Sequence, residues 1–151
     1  MTIPLQRLPH AGTLPVPSYA TGGAAGMDVC AALDQPLTIA PSQIVLVPTG
    51  FCMAVPVGFE CQVRSRSGLA AKHGIFALNA PGTIDSDYRG EVKVILANFS
   101  GDPFVIEPGM RIAQLVVAQH ATVQWEEVSE LGGTERGSGG FGSTGTNGGT
   151  P

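Results

Sequence analysis

Charge is scarce in this sequence. Only 13% of the 151 residues are Asp, Glu, Lys or Arg, and the formal net charge is -4. The basic residues form no run, which excludes a surface that tracks a nucleic-acid backbone, because that needs clustered Lys and Arg. Cysteine is equally sparse. Cys30, Cys52 and Cys61 are odd in number and fit no C-x-x-C spacing, so they read as buried small hydrophobes in a reducing compartment rather than as zinc ligands or a disulfide framework. His10, His73 and His120 share no ligand spacing and are assigned to structure or surface. No stretch approaches the length of apolar chain that spans a bilayer. Met1–Gly23 has no apolar signal-like core and is broken by Pro4, Pro9, Pro15 and Pro17. The expectation is a cytoplasmic protein with no membrane partner.

What is present is apolar material and punctuation. Hydrophobic residues make up 43% of the chain, enough for one core in one domain. Gly (21) and Pro (12) are both abundant, above their usual shares of roughly 7% and 5%. Short apolar runs between such residues suit an all-β chain. An edge strand is expected over Ile3–Leu8 and a loop over Leu14–Gly23. Further strands follow over Ala24–Ala32, Leu37–Ala40, Gln43–Val47, Gly50–Val55, Phe59–Arg66, Ile75–Leu78, Val92–Leu96, Phe104–Ile106, Arg111–Ala118 and Thr122–Val128. In Phe59–Arg66, Phe59, Cys61 and Val63 alternate with Glu60, Gln62, Arg64 and Arg66, one face in and one face wet. Ser67–Gly74 carries a capping Ser, good helix formers and a terminal Gly, and is expected to be the one short helix. Many strands with one helix indicate a jelly-roll-like fold or distorted β-barrel. The low surface charge fits burial of some surface between subunits. From Gly132 onward the chain is glycine-rich with a single aromatic, so residues 1–131 read as the packed domain and 132–151 as a mobile arm.

The stretch Asn79–Glu91 carries the strongest chemical signal. Asn79, Pro81 and Gly82 are turn residues, and Val92, Val94 and Leu96 then set one apolar strand face. Asp85 and Asp87 sit just off that rigid element. Arg64-Ser-Arg66-Ser67-Gly68 leads into the helix, whose N-terminus can receive an anion. Arg111 and Gln114 stand among apolar residues of a later strand. In the arm, Gly137–Gly142 matches G-x-G-x-x-G, but the dinucleotide fingerprint needs a strand before it and a helix after it, and neither is expected. Arg136 and Phe141 instead supply a fork for phosphate and a stacking face, among glycine N–H groups that can wrap anions.

In order, A-G-M-D-V, R-S-G-L-A, G-T-I-D-S-D-Y-R-G-E, P-G-M-R-I-A-Q-L and R-G-S-G-G-F-G-S-T-G resemble the five motifs of the homotrimeric dUTP pyrophosphatases (dUTPases), from Ala25 to Gly145. The Pro/Gly-rich lead and a short tail after Gly145 depart from that pattern. The resemblance implies hydrolysis of dUTP to dUMP and pyrophosphate with Mg²⁺ held by phosphates and waters rather than by protein ligands. It makes Asp85 the general base. It places Asn79, Gly82, Thr83 and Ile84 on uracil, Tyr88 under the deoxyribose and Phe141 stacked on the base. Arg66, Ser67, Gly68, Gln114, Arg136, Gly142 and Ser143 then contact phosphates, with Asp28 in a supporting role. Asp87 and Glu91 are read as structural. The family assembles as a trimer whose sites are shared between subunits. Two alternatives stand beside this: a dCTP deaminase-like relative, which by resemblance would carry Glu where this chain has Ile95, and a trimeric nucleotide-binding protein without turnover.

Overall fold

The computed structural model describes residues 1–141 and 143. Among them the strands are β1 (Leu5–Arg7), β2 (Ser18–Tyr19), β3 (Met27–Cys30), β4 (Leu37–Ile39), β5 (Ile44–Pro48), β6 (Phe51–Met53), β7 (Phe59–Ser65), β8 (Ile75–Ala77), β9 (Gly82–Ile84), β10 (Lys93–Asn98), β11 (Phe104–Ile106) and β12 (Arg111–Gln119). One α-helix, α1 (Ser67–His73), and a 3-10 turn at Pro9–Ala11 complete the set. The strands form open sheets in the orders β2-β3-β12-β7-β9, β5-β10-β8, β11-β4 and β1-β6. Every pairing is antiparallel. This is the all-β, jelly-roll-like architecture that the punctuated sequence predicts.

Alternation sets the core. On β7, Cys61 and Val63 point in while Arg64 is exposed; on β10, Val94 and Leu96 are fully buried. They meet Val29, Ile39, Val47, Ile75, Ile106, Ile112 and Leu115 from β3, β4, β5, β8, β11 and β12 in one cluster. Each such side chain contributes about 1.5–3 kcal/mol on burial. All three cysteines are free and buried. Burial, with Glu60 nearby, pushes the Cys61 thiol up to about 11, so it packs as an inert hydrophobe.

Three expectations need correction. Thr122–Val128 forms no strand; the residues are exposed coil, with Trp125 95% exposed. Its alternation is strand-like, but an isolated strand has no ladder to satisfy its backbone. Leu14–Gly23 is not all loop, since Ser18 and Tyr19 pair with Asp28 and Met27. Ser67 does not cap α1. The extended Arg66 occupies that position without a side-chain cap bond, because β7 runs directly into the helix. Gly74 does end the helix, in the left-handed conformation (φ 65°), returning its N–H to Leu69 and Ala70 carbonyls. Strand bounds otherwise shift by a few residues: Met27–Cys30 falls within Ala24–Ala32, while Arg111–Gln119 and Lys93–Asn98 run past the expected ends at Ala118 and Leu96.

Candidate active site

β9 is an edge strand laid against β7, with Val63 opposite Gly82, Gln62 opposite Thr83 and Cys61 opposite Ile84. Gly82 and Ile84 are buried and Thr83 faces outward. The connection from β8 to β9 contains a cis Ala80–Pro81 peptide. Asn79 folds back so that its amide covers Gly82: a Cβ at Gly82 would lie 2.8 Å from Asn79 Nδ2. A side chain at residue 82 would displace the Asn79 carboxamide from this position. Asp85 follows β9 directly and is exposed. The Tyr88 N–H donates to the Asp85 carbonyl at 3.2 Å, closing a turn.

Tyr88 is fixed at its far end. Its hydroxyl donates to the Glu91 carbonyl at 3.0 Å, and its ring crosses Gly90 so closely that a Cβ there would lie 2.5 Å from the phenol oxygen. Asn79, Gly82, Thr83, Ile84, Asp85 and Tyr88 together line a cavity of about 280 Å³, closed on the other side by Leu46, Glu91, Lys93 and Ile95 among others. The start of β10 is held rigidly behind it. The Val92 N–H donates to the Phe51 carbonyl at 2.8 Å, and the buried Thr49 hydroxyl donates to the Val92 carbonyl at 2.6 Å. Carboxamide, backbone polar groups, an aromatic face and an exposed carboxylate thus converge on one small pocket. That is the composition of a site that reads a polar ring by its edge.

A second group forms on the outer face of the five-stranded sheet. Gln114 on β12 stands opposite Asp28 on β3 and Arg64 on β7, which puts all three in one row. A register shift between Arg111 and Ala113 re-aims the strand and brings Arg111 to the same carboxylate. Asp28 accepts from Arg66 Nε at 3.1 Å, from Arg111 at 2.9 Å and, more weakly, from Gln114 Nε2 at 3.4 Å. The Asp28 side chain is 12% exposed and those of Arg66 and Arg111 are 26% and 56% exposed, so the guanidinium groups keep donors free for a second anion. Ser67 and Gly68 follow, both exposed. No Cβ contact hems in Gly68.

The structure therefore brings the expected residues together in two groups, Asn79–Tyr88 and Asp28–Arg66–Gln114. It does not bring in the arm. Arg136 is exposed and donates to the Gly139 carbonyl at 2.9 Å within its own turn, and Phe141 is fully exposed. The Ser143 N–H likewise makes a local bond, to Gly140. Gly142 lies outside the described residues. Arg111, Leu46 and Glu91 are given no place at the site by sequence reasoning, and the structure brings each of them to it. Arg111 stood in plain sight in P-G-M-R but was not separated from its strand. Leu46 reaches the pocket only because β5 pairs with β10 (Leu46 opposite Ile95). Glu91 makes the structural bonds expected of it: its carboxylate accepts from the Gly50 N–H at 2.9 Å and from His10 Nε2 at 2.6 Å. Burial pushes that carboxyl upward, but the bonds from His10 and Gly50 and the charges of His10 and Lys93 outweigh it and leave it below the usual glutamate range.

A β domain with a ring-sized pocket on one sheet edge and an arginine-bearing group on an outer sheet face belongs to the class of proteins built to bind small anionic ligands. Comparison with known proteins is specific. The dUTPase family model matches residues 13–145. The chain is 59% identical over 130 residues (86% of this chain, 88% of the relative) to the deoxyuridine 5'-triphosphate nucleotidohydrolase of Rickettsia felis. It is 58% identical over 147 residues (96% and 91%) to that of Mesorhizobium japonicum. In three dimensions it resembles a Staphylococcus bacteriophage 80alpha dUTPase mutant solved with dUpNHpp (TM-score 0.84, 23% identity, 96% and 99% covered). It also resembles a phage phi11 dUTPase mutant whose structure concerns coordination of a structural Mg(II) ion (TM-score 0.76, 19% identity, 87% and 99% covered). The chain belongs to the dUTPase family.

Proposed function

We propose that this chain hydrolyses dUTP to dUMP and pyrophosphate. The observation that carries the reading is the pocket in which Asn79, Gly82–Ile84 and Tyr88 converge with Asp85 at the rim, in a chain of this family. Uracil presents acceptor, donor and acceptor along its edge. The Asn79 carboxamide and the backbone of Gly82, Thr83 and Ile84 supply complementary partners, and cytosine would leave some of them unpaired. Tyr88, pinned to Glu91, packs under the deoxyribose and fills the space a 2′-hydroxyl needs. The carboxylate of Asp85 orients a water and takes its proton as the water oxygen attacks the α-phosphorus in line. The bond from that phosphorus to the bridging oxygen breaks, and pyrophosphate leaves.

Arg66, Ser67, Gly68 and Gln114 receive the phosphates, with Asp28 holding Arg66 and Gln114 in place. Two guanidinium groups and a carboxamide suit a triphosphate better than they suit a bare cation. These residues fit a Mg²⁺ carried by the phosphates and by water, as its reluctance to dehydrate favours. When bound, the ion offsets charge on the departing pyrophosphate. Arg136, Phe141, Gly142 and Ser143 act from the glycine-rich C-terminal segment: Phe141 stacks on uracil, Arg136 meets the terminal phosphate, and closure excludes water. The full exposure of Phe141 fits an aromatic whose partner is the ligand.

The working unit is a homotrimer with shared sites. Its support is the apolar surface left uncovered. Ile44 and Leu46 on β5 are 59% and 56% exposed beside the pocket, and Val123, Trp125, Val128 and Leu131 are exposed beyond β12. Such surface is ordinarily an interface. A cytoplasmic setting fits three unpaired buried cysteines. Ile95 lines the pocket, which gives no support to a deaminase reading that needs a carboxylate there. The test is pyrophosphate release with Mg²⁺ from dUTP, dCTP, dTTP and UTP. Release from dUTP alone is expected; equal release from UTP would remove sugar reading by Tyr88, and no release from any of them would overturn the hydrolase.

A further inference from the structure

The Pro-rich N-terminal lead lies outside every motif, yet it touches Glu91, a residue that lines the pocket. Leu5–Arg7 pairs with Phe51–Met53, and the 3-10 turn that follows is wedged against Gly50. A Cβ at Gly50, which has φ +75°, would lie 2.4 Å from Ala11 Cβ, so turn and glycine fit with no slack. The Leu8 N–H donates to the Gly50 carbonyl at 2.8 Å. This seating aims His10 at Glu91. An ionised carboxylate only accepts, so Nε2 of His10 is the donor across their 2.6 Å contact. The same carboxylate oxygen takes the Gly50 N–H, and Lys93 Nζ stands 3.7 Å from the other oxygen. The main-chain carbonyl of this same Glu91 receives the Tyr88 hydroxyl.

We propose that His10 is a positioning residue for the sugar end of the pocket: through the Glu91 carboxylate it fixes the peptide on which the Tyr88 hydroxyl is hung, and so sharpens selection against a ribonucleotide. The linkage is short, and every step in it is a direct bond. The Val92 N–H, in the same peptide unit as the Glu91 carbonyl, is held by Phe51, and Thr49 anchors the next peptide; the second hold on residue 91 is its side chain, bound by His10 and Gly50 with only a longer approach from Lys93. Removing the imidazole leaves a carboxylate that is 13% exposed with one fewer donor. It then turns toward solvent or Lys93, and the peptide bearing the Glu91 carbonyl keeps only its Val92 N–H hold and gains freedom to tilt. The Tyr88 phenol follows, because its hydroxyl has no other partner among the described residues. The inference rests on the pocket being a deoxyuridine nucleotide site.

The experiment compares wild type, His10→Ala, His10→Gln and Glu91→Gln, measuring kcat and KM for dUTP and UTP beside thermal melts. His10→Ala is expected to lower the dUTP-to-UTP ratio of kcat/KM by about tenfold, since small misplacements in a site have effects of this order. The change should appear as a rise in KM for dUTP and a gain for UTP. His10→Gln, whose amide N–H still reaches Glu91, is expected to recover most of the ratio, and Glu91→Gln to lie between. An unchanged ratio in His10→Ala overturns the proposal. So does a loss that falls equally on both nucleotides and tracks melting temperature, because that marks a purely structural contact. A wild type inert on dUTP contradicts the functional reading instead. The proposal is then decided by calorimetric affinities for dUMP and UMP, where His10→Ala must narrow the gap between them.

Discussion

Asp28 and Arg111 are 83 positions apart in the chain, and a guanidinium nitrogen of Arg111 donates to the Asp28 carboxylate at 2.9 Å. Arg66 and Gln114 share the same carboxylate. Asp28 is therefore the common support of Arg66, Arg111 and Gln114, the group proposed to receive the phosphates. Asp28→Asn keeps the shape and removes the charge. Its expected effects are a clear rise in KM for dUTP and a stability loss of about 1–2 kcal/mol, since the guanidinium groups are partly solvated and lose charge-assisted bonds rather than a fully buried pair. Steady-state kinetics and urea titration check both; an unaltered KM would make Asp28 a structural residue only.

Gly90 tests the Tyr88 geometry from another direction. A methyl group at residue 90 would lie 2.5 Å from the phenol oxygen and 2.7 Å from Cζ, so Gly90→Ala must displace the ring. The ring is 44% exposed and can swing into solvent, so the fold should survive. The expected result is near-normal far-ultraviolet circular dichroism with weakened dUTP selection over UTP. Retained selection would show that Tyr88 does not read the sugar.

The arm offers a clean separation of stability from activity. Among the described residues, Arg136 and its neighbours bond only locally, so ending the chain after Glu135 should shift the melting temperature little. Hydrolysis should nevertheless fall steeply, because ligand closure and the Arg136 charge are lost. Normal turnover by the truncated protein would reduce residues 136–151 to a passive tail.

Acid should loosen the Glu91 anchor. The folded-state pKa of Glu91 lies below the ordinary glutamate value of 4.5, so its contribution is fully present above that pH and is lost as pH falls through the folded value. Glu91→Gln should therefore flatten the acid limb of the stability curve below about pH 4.5 while costing stability at neutral pH. An acid limb unchanged in the variant would assign acid loss to other carboxylates.

Local chemistry was the legible part of this chain. The turn at Asn79–Gly82, the Asp85 that follows it, the alternation of β7 and β10, and the terminal glycine of α1 all follow from residues a few positions apart. What the sequence hid depends on pairing at a distance. Arg111 meets Asp28 only through the β3–β12 register and its irregularity, and Leu46 enters the pocket through β5–β10 pairing. The Glu91 carboxylate takes its meaning from Gly50, 41 residues away. Thr122–Val128 failed for the opposite reason: its pattern is that of a strand, but a strand also needs a neighbour, and the described chain provides none.

The central claim is that Asp85 activates the water that cleaves dUTP. The most direct measurement is the Asp85→Asn variant, with dUTP affinity by calorimetry and pyrophosphate release in Mg²⁺ side by side. The account predicts binding close to wild type with kcat reduced by about 10²–10⁴-fold, the range that general-base catalysis supplies. Undiminished turnover in the variant would contradict it.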